Sequence, residues 1–174
     1  MISAASYYTV YLVIITIITC FVCYNYNGKN GLVEYSSKSK SSWGTFLLAL
    51  FMVMFIGFRP ASGVFMDMMN YIIFYHAFHE GSVFIFDKEA ENLLFDNYFA
   101  WIGSMRLGTT FFFVTIAAIY FICTYIACKR MFPRDTLIAY LVFLAAFSTF
   151  SYGANGIKAG AAAAIFLMAL SYRK

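Results

Sequence analysis

Repeated apolar runs, each close to the thickness of a bilayer core, constrain this chain more than any other feature. A helix needs about 20 residues at ~1.5 Å each to cross roughly 30 Å of hydrocarbon, where every backbone polar group must be bonded within the segment. The first run, residues 4–24, carries no charge at all. Further runs of this kind predict a single transmembrane domain over residues 1–174, with about five spans at residues 4–24, 43–58, 108–128, 136–152 and 157–171. The fold class is therefore all-α, a polytopic transmembrane helical bundle. A β-barrel is excluded because the runs are continuous and do not alternate.

Composition agrees with a bilayer as the solvent. Of 174 residues, 63% are hydrophobic and 11% charged, and 21 Phe with 14 Tyr far exceed the usage of soluble domains. Tyr7, Tyr8 and Tyr11 at one end of the first run, and Tyr24 and Tyr26 at the other, suit an interfacial aromatic belt. That run also lacks the basic n-region of a cleavable signal peptide.

The connections differ in charge, and this orients the chain. Residues 25–42 carry Lys29, Lys38 and Lys40 against Glu34, and residues 129–135 carry Lys129, Arg130 and Arg134 against Asp135. The loop 59–107 is acidic: Arg59, Lys88 and Arg106 face Asp67, Glu80, Asp87, Glu89, Glu91 and Asp96. Because Lys and Arg favour the cytoplasmic side, five spans place the N-terminus outside, the C-terminus inside and the acidic loop outside. The net charge of +4 is thus a topology signal, and no basic stripe interleaved with aromatics points to nucleic acid. Within the outer loop, residues 63–78 read as an interfacial or re-entrant helix carrying Asp67. A second helical pattern runs through Glu89, Leu93, Leu94, Tyr98, Trp101 and Ile102, with Asp87 as its expected N-cap.

Lys158 stands out because it interrupts the uncharged stretch from Ser151 to Leu170. A charge at hydrocarbon depth costs about 2.5–3.5 kcal/mol on insertion scales, so it faces a cavity, a partner or a ligand unless it snorkels to the interface. The apolar run after it, Ala159 to Leu170, has only about 12 residues, too few to cross. Asn155 and Gly156 mark a helix start, whose free N–H groups would add to the positive field of Lys158 and favour an anion. Gly156, Gly160 and Ala164 form a small-x-x-x-small series, which helix packing alone would also explain.

Other polar residues have two readings each. Arg59, directly before Pro60, is either a snorkelling interfacial arginine or a phosphate clamp with several directed donors. Asp67, Asn70 and Tyr71 share a helical face, either as an exposed polar edge or as part of a site. His76, His79 and Glu80 at helical spacing are either incidental surface groups or metal ligands. Cys20, Cys23, Cys123 and Cys128 could hold zinc only as thiolates in hydrocarbon, so they read as small apolar residues. No metal and no cofactor is expected.

These elements together resemble the EpsG family of membrane proteins in bacterial exopolysaccharide and capsule synthesis, relatives of Wzy-type O-antigen polymerases. The resemblance rests on Ile56-Gly57-Phe58-Arg59, on Asp67 with Asn70, Tyr71 and Phe74, on Glu89 to Leu94, and on Asn155-Gly156-Ile157-Lys158-Ala159-Gly160. It implies a metal-independent glycosyltransferase-type polymerase in the bacterial cytoplasmic (inner) membrane. The implied substrate is an undecaprenyl-pyrophosphate-linked oligosaccharide, and the implied partners are the lipid bilayer and other polysaccharide-assembly membrane proteins. Arg59, Asp67 and Lys158 would be catalytic, with Asn70, Tyr71, Asn155 and Gly156 binding substrate. Lys158 stands where the family usually has arginine, Ala159 where it has glutamine, and Met68 where it has an aromatic. The family's usual length, about twice this chain, implies an N-terminal portion of a longer protein. The alternative from another class is a non-catalytic membrane protein, a transporter subunit or assembly scaffold, with Lys158 in an internal salt bridge to Asp67 or another acid.

Overall fold

The computed structural model describes residues 3–27, 41–78 and 83–173. Among them are eight α-helices and no strand: α1 (Tyr7–Asn27), α2 (Ser41–Gly57), α3 (Met66–Phe78), α4 (Leu93–Ser104), α5 (Thr109–Met131), α6 (Thr136–Ala145), α7 (Phe147–Ala154) and α8 (Ile157–Ser171). Ser3 caps a short 3-10 turn, Ala4–Ser6, that leads into α1.

Helix α5 is the axis of the bundle, with α2 and α8 packed along it. Its 23 residues extend about 34 Å, enough to cross a bilayer. Gly57 lies against Val114 near the start of α5, and the Phe46 ring lies 5.8 Å from that of Tyr125 near its end, so α2 runs antiparallel to it. Helix α8 runs parallel to α5: Arg130 Nε donates to Ser171 O at 3.3 Å, and its guanidinium lies 3.6 Å from the Tyr172 ring. One end of the bundle thus gathers Lys129, Arg130 and Arg173, and α3 and α4 cover the other end. A shelf of rings joins the cover to the bundle, with Tyr71 5.7 Å from Phe95 and 5.6 Å from Phe112.

Residues 4–24 and α5 are each long and apolar enough to cross a membrane. The expected second and fifth spans are shorter apolar helices, Trp43–Gly57 and Ile157–Ser171. The expected fourth span, residues 136–152, is not one helix. It breaks at Ala146, which is extended (φ −65°, ψ 131°), and α6 and α7 meet at 74°. No proline causes this. Hydroxyls bond the carbonyls at the break: Thr149 Oγ1 joins Ala146 N, at 3.2 Å, on Phe143 O, and the Tyr11 phenol donates to Leu144 O. Discontinuous helices are tolerated at membrane depth when freed backbone groups are bonded again in this way.

Two further expectations need correction. Tyr7 and Tyr11 are buried at 5% and 2% exposure, so they face inward and not the interfacial belt. Tyr7 donates to Phe55 O, and the buried phenol of Tyr140 likewise donates to Phe121 O at 3.3 Å. A buried phenol needs such a partner, and carbonyls supply it. Asp87 does not cap a helix. Its carboxylate accepts from Glu89 N at 2.8 Å in a turn, and α4 begins later, at Leu93. Buried Asn97 holds the preceding segment to α4, accepting from Asp87 N at 2.7 Å while donating to Asp87 O and Leu93 O, each at 2.7 Å. The expected helix at residues 63–78 is present as α3, packed on the bundle through Tyr71 and Tyr75.

Two glycines set the helix spacings. A Cβ on Gly57 would lie 2.8 Å from Val114 Cα, and one on Gly160 would lie 2.7 Å from Tyr152 O, whereas Gly44 faces open space. Gly57→Leu and Gly160→Leu are each expected to destabilise the fold by about 1–3 kcal/mol through overpacking. Gly44→Ala should leave stability unchanged or slightly higher. Thermal unfolding of the protein in detergent, followed by circular dichroism, checks all three.

Candidate functional site

The site forms where the α7–α8 corner meets α4. Helix α7 ends at Ala154, and only Asn155 and Gly156 separate it from α8. Asn155 N and Gly156 N both return to Ser151 O, at 2.8 and 3.0 Å, which closes α7 and turns the chain. Gly156 then precedes α8 with no side-chain cap on its first turn. Lys158 is the second residue of α8, so its side chain leaves the bundle close to uncapped backbone N–H groups.

Lys158 Nζ donates to Asp96 Oδ1 at 3.0 Å and lies 5.1 Å from the Phe95 ring centroid. Both partners are partly open to solvent, with side chains 39% and 35% exposed. The other Asp96 oxygen, Oδ2, accepts from Asn92 N at 3.1 Å at the start of α4. Burial by itself would raise the Asp96 carboxyl. The Lys158 hydrogen bond, the Asn92 N–H and the Lys158 charge outweigh it and hold the group below its ordinary value.

Tyr71 stands beside this pair, its ring 5.7 Å from that of Phe95. Burial, and then the negative charges of Asp67 and Asp96, push its phenol up to about 12. The phenol therefore senses both carboxylates. The structure pairs Lys158 with Asp96 and sets Tyr71 beside Phe95, while Asp67 lies one turn before Tyr71 on α3. Asn70 lies on the exposed side of α3. Gly156 serves packing, since a Cβ there would meet Tyr152 Cδ1 at 3.1 Å. Asn155 Oδ1 is buried without a hydrogen-bond partner.

Arg59 has a different place from the one expected of a phosphate clamp. It is 4% exposed, inside the bundle. Nη1 donates to Ile56 O at 2.8 Å and Nη2 to Ala154 O at 2.9 Å, and the guanidinium lies 4.9 Å from the Phe113 ring and 5.6 Å from that of Phe65. Both terminal nitrogens are thus committed to carbonyls, and Nε is buried without a partner. Arg59 supports the corner from behind by capping the end of α7. It does not snorkel.

The remaining metal-ligand candidates do not converge. The four cysteines are free, with Cys20 and Cys23 exposed, Cys123 half-buried and Cys128 buried. No group of three or more His, Cys, Asp or Glu is gathered among the described residues. His76 is exposed on α3, and His79 and Glu80 lie outside the described residues.

Sequence reasoning counted Asp96 only as one charge of an acidic loop. Its lysine partner lies 62 positions away, and no local pattern reports it.

Arg59→Ala is expected to cost about 3 kcal/mol or more, because two carbonyls lose a charged donor worth about 1.5–3 kcal/mol each. Arg59→Lys should recover only part of this, since an ammonium lacks the fork that reaches both. Denaturation in detergent separates the three proteins. The Lys158–Asp96 pair predicts a small acid sensitivity. A carboxyl held low in the folded state stabilises fully above its ordinary value of about 3.9, and that contribution disappears as pH falls through the lower folded value. At this exposure it amounts to less than about 1 kcal/mol. The fall in unfolding midpoint from pH 6 to pH 3 should therefore be smaller in Asp96→Asn than in the native protein.

No curated protein and no solved structure matches this chain. The family model of the EpsG family matches residues 43–174, a region that holds α2 from Trp43 onward, all of α3 to α8, the Lys158–Asp96 pair and Arg59. The apolar helices and this match identify a membrane protein of the polysaccharide-polymerase kind. The chain belongs to the EpsG family.

Proposed function

We propose that this protein works as a glycosyltransferase-type polymerase of lipid-pyrophosphate-linked repeat units in exopolysaccharide or capsule synthesis. The observation that carries the reading is the Lys158–Asp96 pair beside Phe95 and Tyr71 at one end of the bundle, with Asp67 on the same helix as Tyr71, in a chain of this family. That end is the acidic one, opposite Lys129, Arg130 and Arg173. By the bias of Lys and Arg toward the cytoplasm, the site then faces the outer side of the bacterial inner membrane.

In this reading an acceptor sugar hydroxyl attacks the anomeric carbon of the donor unit. The new C–O bond forms as the bond from that carbon to the pyrophosphate oxygen breaks, and the hydroxyl proton passes to the Asp67 carboxylate. The lipid pyrophosphate leaves as an anion. Lys158 and the positive N-terminal end of α8 meet the charge that develops on it. Asn70, Tyr71, Asn155 and Gly156 border the sugar and phosphate positions. Arg59 is a positioning residue, because it fixes Ala154 and hence the corner that presents Lys158.

Lys158→Ala and Asp67→Asn, introduced into the gene in its host, are each expected to cut long polymer by about 100-fold, the scale of losing one electrostatic contact to a developing anion. Gel sizing of the extracted polysaccharide reads this. Unchanged chain length in both variants overturns the reading.

The ion pair itself favours a second reading, a non-catalytic scaffold in which Lys158 and Asp96 bind α8 to α4. Exchange of the two charges, Lys158→Asp with Asp96→Lys, separates the two. A scaffold tolerates the reversed pair, whereas a polymerase needs the cation at position 158 and stays inactive.

A further inference from the structure

Lys129 and Arg130 are neighbours in the last turn of α5, and their surroundings differ. Arg130 is committed to the end of α8 through Ser171 O and the Tyr172 ring. Lys129 is exposed, and among the described residues no carboxylate pairs with it. Its Nζ lies instead 5.9 Å from the centroid of the Tyr125 ring, one turn back on α5. Tyr125 meets Phe46 of α2 at 5.8 Å, and Phe46 meets Trp43 edge-on at 6.2 Å. These four side chains line a cleft of about 340 Å³ between the start of α2 and the end of α5. It lies at the opposite end of the bundle from Lys158, and the polymerase chemistry does not use it.

The chemistry of the cleft selects its occupant. Three rings by themselves would suit a quaternary ammonium, but a fixed ammonium beside them repels a cation and favours an anion. The backbone does not decide the matter. Helix α2 begins and α5 ends at this level, so a positive and a negative helix end largely offset each other. Lys129 therefore carries the selection, at an end of the chain where Arg130, Arg134 and Arg173 stand against Asp135. Depth supplies the rest. Helix α5 crosses about 34 Å, so its last turn stands at headgroup level, the level that suits a tryptophan as exposed as Trp43, at 75%. From Trp43 an exposed apolar stripe of Leu47, Leu50 and Met54 continues along α2 into the bilayer. An anion that carries apolar chains uses both features, whereas a free anion uses only the lysine. We propose that the cleft binds an anionic glycerophospholipid of the surrounding leaflet, with its phosphodiester on Lys129 and its glycerol and upper acyl carbons against Trp43, Phe46 and Tyr125. Basic pockets between membrane helices take lipid headgroups by the same attraction.

The chain has two tryptophans, Trp43 and Trp101, so Trp101→Phe leaves Trp43 as the single indole and a reporter inside the cleft. This protein is placed in phosphatidylcholine nanodiscs that contain phosphatidylglycerol, and either lipid is supplied with brominated acyl chains, which quench indole fluorescence on contact. At equal amounts of brominated lipid, phosphatidylglycerol is expected to be enriched at Trp43 by about fivefold over phosphatidylcholine, the factor contributed by one lysine at an anionic headgroup. Lys129→Gln should bring the enrichment to about one, and Lys129→Arg should restore it. Arg134→Gln removes the same charge outside the cleft and should leave the enrichment in place. Equal quenching by the two lipids overturns the proposal, and stronger quenching by brominated phosphatidylcholine makes the cleft a choline site instead. An equal loss in Arg134→Gln and Lys129→Gln also overturns it, because the attraction then belongs to the whole basic end. Abolition of the enrichment by inorganic phosphate at constant ionic strength assigns the lysine to a free anion and overturns the lipid site.

Discussion

The bond from Arg59 to Ala154 O is the contact on which the candidate site depends. A guanidinium at 4% exposure would be prohibitive without partners, and this one is held by two carbonyls and two aromatic rings. In return it closes the C-terminal end of α7 where the chain must reverse into α8. Lys158 follows only four residues after Ala154. The position of the exposed cation is therefore set by the buried one, and the two charges divide the work between architecture and surface chemistry.

The same constraint explains the broken helix. In an apolar medium the carbonyls at the Ala146 break need donors, and Thr149 and Tyr11 supply hydroxyls from within the bundle. Tyrosines do this repeatedly: Tyr7, Tyr11 and Tyr140 donate to main-chain carbonyls on other helices, and Tyr75 donates to Leu107 O in the connection before α5. The high Tyr content thus has a structural use beyond the interface: it lets an α-helical bundle contain a 74° bend. At that bend α6, about 15 Å long and too short to cross roughly 30 Å of hydrocarbon, gives way to α7, which leads to the corner before α8.

Much of this was legible beforehand, and the limits are instructive. Residues 4–24 and α5 were plain because their runs exceed what any compact alternative would bury, and α3 was plain from its aromatic pattern around Asp67. The break at Ala146 left no trace, because Phe143 to Tyr152 contains neither proline nor a run of glycines, and hydropathy does not register direction. Arg59 was misplaced for a related reason. A lone arginine at the end of an apolar run looks the same whether it reaches for headgroups or for a carbonyl 95 residues away. Of the candidate site, Lys158, Asp67 and Tyr71 were marked by charge or helical spacing, whereas Asp96 was hidden among the acids of the loop.

By itself the sequence determined the solvent, the helical class, the sidedness of charge and the oddity of Lys158. Those properties follow from local composition and from the energy of placing charge in hydrocarbon. Only the tertiary structure decided which cation is buried and which is presented, and which acid answers Lys158. Those choices depend on pairs separated by 62 and 95 positions, joined by packing around α5.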